Sequence, residues 1–470
     1  MALPNTRYGA DAIAAAVAGK RKLWFIGIGG VHMASMALLA AERGFAVAGS
    51  DRAAGEGTAR LSAAGIPVYF GHEAARVVGF DAVIYTLAIS PDNPEYKAAV
   101  HMGLPLFSRA DFLSFLMGAY PCRVGVAGSH GKSTVTAMLA EIFAVAGRAP
   151  TVFCGAPLRG AGASVWQERG QDFIFEACEY EDSFLCFSPT LAVILNVGYD
   201  HVDYFASPGA VEGSFAAFAG LPGERGRVLY NAEDEAAFRC VRGSGSVCHS
   251  FGIERGDYRA EEVSFFEGRG RFVPVLPSGE RLETVSLRVV GRHNVANAMA
   301  ALAAAHLCGV PPRAILTGLA AFGGAGRRME YRGMLRGARL YDDYAHHPDE
   351  IAATLAAARQ MVGNGRLFAV FQSHTYSRTA AFFREICAAL QAADRVLIAP
   401  IYAARETDTR GMHAAALAAG VGEKASAPGE LPAIAAMLLT ELMPGDMAVI
   451  MGAGDIDRIF GEFSGKHFTL

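Results

Sequence analysis

Two textures of apolar residue alternate along this chain. Short continuous runs rich in β-branched and aromatic residues, closed by glycine, give way to longer Ala- and Leu-rich stretches whose apolar positions suit one face of a helix. Runs of the first kind read as strands buried on both faces, and strands joined by helical crossovers make parallel sheets. The pattern predicts an α/β chain of three such blocks. In the first, strands are expected at 23–28, 46–50 and 82–87 with a helix over 33–43. A break at Tyr120-Pro121 opens the second, with strands at 123–127, 173–177 and 191–196 and a helix from 132 to about 146. Between 246 and 290 the runs become shorter and glycine-punctuated, as at Val263-Ser264-Phe265-Phe266 and Leu287-Arg288-Val289-Val290, which predicts an antiparallel patch. Helices over about 293–308 and 312–321 follow, and Gly323-Gly324-Ala325-Gly326 reads as a hinge. The third block carries strands near 367–371, 395–400 and 447–451. The expected domains are therefore residues 1–119, 120–325 and 326–470, the first and last Rossmann-like.

Composition agrees with this scale. At about 150 residues per domain, 470 residues make about three. With 52% hydrophobic and 19% charged residues, apolar burial can offset the entropy of ordering, so a folded chain is expected. The formal charge of −4 and the lack of a like-charged block argue against nucleic-acid binding. Eight cysteines without a CxxC pair predict reduced thiols and no zinc site. The first apolar run, 13–18, precedes Gly19-Lys20-Arg21-Lys22, the wrong order of charge for a signal peptide, and no run reaches the roughly 18 apolar residues of a membrane span. A soluble cytoplasmic protein with no membrane partner is expected.

Chemistry concentrates where strands hand over to helices. Gly125-Val126-Ala127-Gly128-Ser129-His130-Gly131-Lys132-Ser133-Thr134 lies between a strand and a helix. Glycines there let backbone N–H groups converge on a phosphate, Lys132 offsets β/γ-phosphate charge, and the Ser133 hydroxyl suits Mg²⁺. Val126 stands where the strict spacing has glycine, so this is a shortened variant that makes the middle block P-loop ATPase-like; a plain glycine-rich turn is the alternative. Gly27-Ile28-Gly29-Gly30-Val31-His32, with Asp51 about 20 residues on, approximates a dinucleotide fingerprint whose third glycine is replaced by His32. NAD, another diphosphate such as a nucleotide sugar, and a simple tight turn all remain open. Glu176-Ala177-Cys178-Glu179 and Asn196-Val197-Gly198-Tyr199-Asp200-His201-Val202-Asp203 end strands of the phosphate-loop block, where metal ligands or water-orienting carboxylates belong. Asn294 and Asn297 open a helix and could read a purine edge or serve as caps. Asp342-Asp343-Tyr344-Ala345-His346-His347-Pro348 and His374-Thr375-Tyr376-Ser377-Arg378-Thr379 place acid, imidazole and guanidinium at ligand-binding turns.

In order, these segments resemble the Mur ligase family. The likeness runs from Gly27-Ile28-Gly29-Gly30 through the Lys132 loop, the Glu176 and His201 segments, Gly291-Arg292-His293-Asn294, Arg327-Arg328-Met329-Glu330, the Asp343 and His374 segments to Gly452-Ala453-Gly454-Asp455. Each fragment alone is ambiguous; the ordered set over nearly the whole chain is specific. The resemblance, to the branch that joins L-alanine to UDP-N-acetylmuramate, implies three domains: one for the UDP-sugar, a central ATP-binding ligase domain, and one for the amino acid. It implies ATP as cosubstrate, Mg²⁺, an acyl-phosphate intermediate, and a monomer or homodimer. By position, Gly128, Ser129, His130, Gly131, Lys132, Ser133, Thr134, His293, Asn294, Asn297, Arg328 and Asp343 would hold the nucleotide. Ser133, Glu176 and His201 would ligate metal. Gly27, Gly29, Gly30, His32, Asp51, His72 and Arg109 would line the UDP-sugar site. Tyr344, His346, His374 and Arg378 would surround the amino acid, and Lys132, Glu176, His201, Arg328 and His346 would carry the chemistry. Hinge closure at about 323–327 would exclude water. Ser373 and Thr375 stand where many relatives have Pro and Arg, and Ser133 where Thr is common. A ligase that attaches a whole peptide to the same sugar nucleotide, and an NAD-dependent oxidoreductase, are the competing readings.

Overall fold

The computed structural model describes residue 3 and residues 5–157, 165–166, 170–404, 406–408, 411–463 and 468–469. Lys22–Ile26 has four buried residues in a row, as a strand flanked on both faces requires. It pairs in parallel with Ala46–Asp51 on one side and Ala82–Tyr85 on the other, and Val68–Phe70 and Leu106–Ser108 complete a five-stranded parallel sheet. Strand order reverses beside Lys22–Ile26, which opens a crevice at the carboxyl ends of the strands. The expected strand 23–28 stops at Ile26 because Gly27, at φ 77°, turns the chain. The expected 82–87 stops at Tyr85, after which the Thr86 hydroxyl accepts a hydrogen bond from the Ala88 amide.

Cys122–Ala127 plays the same central part in a seven-stranded sheet, between Asp172–Glu176 and Leu191–Ile194, both parallel to it. Its helix, Lys132–Val145, starts directly after the phosphate-loop sequence. The antiparallel patch is present as Arg259–Phe266, Arg269–Val275 and Val285–Val290. Glu267 (φ 48°) and Gly268 (φ 75°) form its first turn, and two successive positive φ values are what a tight right-twisted hairpin demands.

A second seven-stranded sheet holds Leu367–Phe371 and Met447–Met451 at its centre. Leu367, Ala369 and Phe371 pack into one apolar cluster and Phe368 and Val370 into another, so the strand alternates between two buried faces. The hairpin Glu330–Leu335 and Ala338–Asp343 on this sheet carries no expected strand. Glu330, Tyr331, Arg332 and Arg339 interrupt its apolar pattern, while Arg336 (φ 54°) and Gly337 (φ 83°) make its turn.

By backbone contacts the chain forms two compact units: Met1–Val197 with Val211–Ser250 and Ala303–Pro311, and Gly198–Ala210 with Phe251–Leu302 and Pro312–Leu470. The first holds the five-stranded sheet and the sheet of the phosphate loop. The second holds the antiparallel patch and the last sheet. Each cysteine is a free thiol. Among the described residues no helix is long and apolar enough to cross a membrane.

A Cβ at Gly29 would stand 2.7 Å from Thr58 Cγ2 and 2.9 Å from Asp51 Oδ2. Gly29→Ala is therefore expected to lower stability by about 1–3 kcal/mol, as overpacking does. Urea denaturation followed by circular dichroism measures it; an unchanged midpoint would show that the turn yields without cost.

Candidate active site

In the first unit the chain leaves Ala127 through Gly128 (φ 150°) and enters the helix through Gly131 (φ 87°), conformations that favour glycine. A Cβ at Gly128 would meet Leu195 Cβ at 2.9 Å. Asn196 latches the loop: its Oδ1 accepts from the His130 amide at 2.8 Å, its Nδ2 donates to the His130 carbonyl at 3.0 Å, and its own carbonyl accepts from the Ser129 amide. Lys132 Nζ donates to the Gly128 carbonyl at 2.5 Å and to both oxygens of buried Glu179, at 3.0 and 3.2 Å. Burial opposes the charge on Lys132, but Glu179, with Cys178 and Glu176, outweighs it and holds the ammonium pKa above its ordinary value. The loop thus carries a fixed positive charge at neutral pH. Ser133 and Glu176 bring hard oxygen donors to the same block. Gly155 faces Glu176 so closely that a Cβ there would lie 2.6 Å from Oε2, which leaves that carboxylate face clear.

The same unit divides the expected sugar-nucleotide residues between two cavities. Gly27, Gly29, Gly30, Asp51 and His72 line a cleft of about 570 Å³ at the crevice of the five-stranded sheet. Asp51 Oδ2 accepts from the Gly29 amide at 2.8 Å and so shapes the turn. His72 Nδ1 lies 3.0 Å from Ser50 Oγ and 3.4 Å from Oε2 of fully buried Glu95, which also accepts from the Trp24 indole at 3.1 Å. His32 and Arg109 line a second cavity of about 470 Å³, together with Gly155 and Glu176.

The second unit gathers a basic and imidazole-rich cluster around one ion pair. Arg378 donates from Nη2 and Nε to Asp200 Oδ1, at 2.9 and 3.0 Å, and from Nη1 to His374 Nδ1 at 3.2 Å. Burial pushes the Asp200 carboxyl upward, yet Arg378, with His201 and His346, outweighs it and holds the group well below the carboxylate range. His346 Nδ1 lies 3.0 Å from the Tyr344 carbonyl and 3.3 Å from Glu350 Oε2. The His346 and His374 rings stand 6.1 Å apart, and His374 stacks on Tyr402. The guanidiniums of Arg327 and Arg328 both lie 5.2 Å from the Tyr344 ring, and Arg328 reaches Glu350 at 3.8 Å. Burial, foremost, pushes His293, His346 and His374 down to about 4. All three are neutral at pH 7 and can accept hydrogen bonds.

Three domain models of one family match along the chain. The profile described as "Mur ligase family, catalytic domain" covers residues 22–121, "Mur ligase middle domain" covers 126–305, and "Mur ligase, glutamate ligase domain" covers 327–454. The chain is 38% identical to the UDP-N-acetylmuramate–L-alanine ligase of Clostridium acetobutylicum over 95% of its own length and 98% of the relative's. The chain belongs to the Mur ligase family. The enzyme of the same name from Lachnospira eligens is 39% identical over 93% of this chain and 96% of its own. Among solved structures, UDP-N-acetylmuramate-alanine ligase MurC of Thermotoga maritima superposes with a TM-score of 0.76 at 27% identity, covering 94% of this chain and 98% of that one. A murein peptide ligase from Psychrobacter arcticus shares the fold, with a TM-score of 0.69 at 24% identity over 94% of this chain and 97% of that one. The three-domain α/β architecture expected from the sequence is thus that of the Mur ligases.

Within this Mur ligase several of the expected residues also bond to neighbouring parts of the chain. Asn294 spends its amide on the Val290 carbonyl (2.8 Å) and its Oδ1 on Asn297 (3.0 Å), so both side chains bind locally at the helix start. Asp343 accepts from the amides of Met329 and Ala345 and from the Thr354 hydroxyl, which makes it the anchor of the turn that carries Arg328. Ser133 and Glu176 belong to the first unit and His201 to the second. Four residues to which the family resemblance gave no individual role hold others in place: Glu179 on Lys132, Asn196 on the loop, Asp200 on Arg378 and Glu350 beside His346. Glu350 follows His346 by one helical turn, a spacing that could have revealed it.

The three lowered imidazoles predict a pH dependence of stability. Each has a folded-state pKa of about 4 against an ordinary 6.5, so the folded chain binds fewer protons than the unfolded one between those values. Their stability contribution is complete above about 6.5 and declines as pH falls towards about 4, by at most about 1.4 kcal/mol per unit per group. Urea midpoints at about pH 7.5 and about pH 5 should show the decline, and His293→Gln should make it shallower. An equal slope in the variant would remove His293 from the cause.

Proposed function

We propose that this chain is an ATP-dependent ligase that joins L-alanine to the carboxylate of UDP-N-acetylmuramate through an acyl phosphate. The observation that carries the reading is the presence, in a chain matched end to end by ligases of that name, of a phosphate loop with a permanently charged lysine. Its domains divide at 119/120 and 325/326, and it works in the cytoplasm.

The chemistry needs what these residues offer. A carboxylate resists attack by an amine because its resonance must be broken and an oxide expelled, and a phosphoryl group makes that oxygen a better leaving group. The terminal phosphoryl of ATP passes to the carboxylate, ADP departs, and the alanine amine displaces phosphate to form the amide. No covalent enzyme intermediate is required, so catalysis reduces to positioning and charge stabilisation. Lys132 and the amides at the start of its helix hold the β- and γ-phosphates. Ser133 and Glu176, hard oxygen donors with Gly155 leaving the carboxylate clear, fit one Mg²⁺, and by the family pattern His201 would hold a second. When bound, the ion neutralises phosphate charge and fixes the in-line geometry.

His293, Asn294, Asn297, Arg328 and Asp343 form the nucleotide-facing part of the second unit, where Arg328 adds positive charge and Asp343 holds its turn. Tyr344, His346, His374 and Arg378 receive the alanine, with Arg378 kept in place by Asp200. His346, with its pKa pushed to about 4, is suited to accept a hydrogen bond from the incoming amine rather than to keep its proton. A phosphate oxygen of the substrate then takes that proton.

ADP release should require UDP-N-acetylmuramate, Mg²⁺ and L-alanine together, with each omission returning the rate to background. Lys132→Ala should lower turnover by about a hundred- to a thousandfold, in the range of losing a transition-state charge contact, while sugar-nucleotide binding persists. ATP consumption with a tripeptide but not with alanine would move the chain to the peptide-attaching ligases, and turnover by Lys132→Ala at the native rate would end the central-site assignment.

A further inference from the structure

Arg109 opens the helix Arg109–Met117 and lines the second cavity of the first unit. Its guanidinium makes one hydrogen bond, from Nη1 to His32 Nδ1 at 3.1 Å, and among the described residues no carboxylate pairs with it. Burial, foremost, pulls the Arg109 pKa below its ordinary value, with the Cys178 and Cys186 thiols acting slightly the other way. A guanidinium has five N–H donors in a planar fork and is costly to bury without an anion. Glu176 lines the same cavity without bonding to it.

His32 is what aims this cation. Its Nε2 lies 3.0 Å from the Cys154 carbonyl, which can only accept, so that nitrogen carries the proton. The Nδ1 lone pair is then left to accept from Arg109. Burial, and after it Arg109, pushes the His32 pKa down, in keeping with a neutral ring. The residue in the place of the fingerprint's third glycine is thus tied to the Cys154 carbonyl on one side and fixes an arginine on the other.

The position of the cavity indicates which anion arrives there. It shares Gly30, Met33 and Thr86 with the cleft at the crevice of the five-stranded sheet, and it runs on to Gly155 and Glu176 beside the phosphate loop. A sugar nucleotide with its diphosphate at the glycine turn extends its sugar into this second cavity, and the acid on that sugar must end near the phosphate loop to be phosphorylated. We propose that Arg109, oriented by His32, binds the carboxylate of the acid-bearing sugar nucleotide and so selects for the presence of that acid. The inference rests on the ligase reading above and deepens it. A bidentate fork matches a carboxylate, neutralises it on binding, and holds one oxygen in a fixed direction.

Calorimetric titration of the whole enzyme with two nucleotides tests this without turnover: UDP-N-acetylmuramate, and UDP-N-acetylglucosamine, which lacks the acid. Arg109→Met should weaken binding of the first by about 30-fold or more and of the second by no more than about twofold, the second titration also showing that the variant is folded. His32→Gln should give a smaller loss confined to the first nucleotide, and adding it to Arg109→Met should cost nothing further, because it acts through Arg109. Equal losses for both nucleotides would place Arg109 on the diphosphate or in a structural role, and no loss for either would remove it from the site; both overturn the proposal. A His32 effect additive to that of Arg109 would overturn the positioning role. If the native enzyme binds neither nucleotide, the ligase reading itself fails, an outcome distinct from the other two.

Discussion

Everything at the phosphate loop depends on keeping one ammonium charged inside a protein. Burial disfavours the charge on Lys132; the carboxylate of Glu179 outweighs that, and the Gly128 carbonyl takes another of its hydrogens. The loop is a charged socket because its counter-ion comes from a different strand end, in the neighbouring position of the sheet. Asn196 adds the second constraint by bonding the backbone at Ser129 and His130, so the amides around Lys132 keep one arrangement. Such preorganisation is what lets electrostatic stabilisation act without reorganisation during the reaction.

The same rule of compensated charge organises the second unit. Asp200 and Arg378 neutralise each other, and the His346 and His374 imidazoles remain uncharged because burial, together with the Arg378 charge, outweighs the nearby carboxylates, Glu350 beside His346 among them. A neutral His374 ring can accept from Arg378, and protonation would replace that bond by repulsion. The cluster is a set of neutral acceptors around paired charges, Asp200 with Arg378 foremost, rather than a field of free cations. Arg109 in the first unit departs from the rule, since among the described residues it bonds to a neutral ring and to no carboxylate.

Much of this was legible in the chain. Strand-to-helix junctions, glycine clusters and the order of motifs located the parallel sheets, the antiparallel patch and the loop around Lys132, because buried strands and phosphate loops have strong local signatures. Less visible were elements and residues whose role lies in a distant partner. The hairpin Glu330–Leu335 and Ala338–Asp343 has charged and tyrosine positions that break its pattern, and its pairing with Met447–Met451 is what makes it part of a sheet. Glu179 was visible within a motif, but nothing nearby in sequence says that it faces Lys132. The hydrogen bonds of Asn294 to the Val290 carbonyl and of Asp343 to the Met329 and Ala345 amides were likewise not legible from the motifs that contain these residues.

The amino-acid order alone determined the α/β class, the Mur ligase pattern and the chemistry available at each turn, since these follow from local periodicity and from residue types at short spacings. Tertiary structure decided which charges meet: Glu179 with Lys132, Asp200 with Arg378, His32 with Arg109. Electrostatic partnership depends on separation in space, and strands far apart in the chain are brought within hydrogen-bonding distance only when the sheets form.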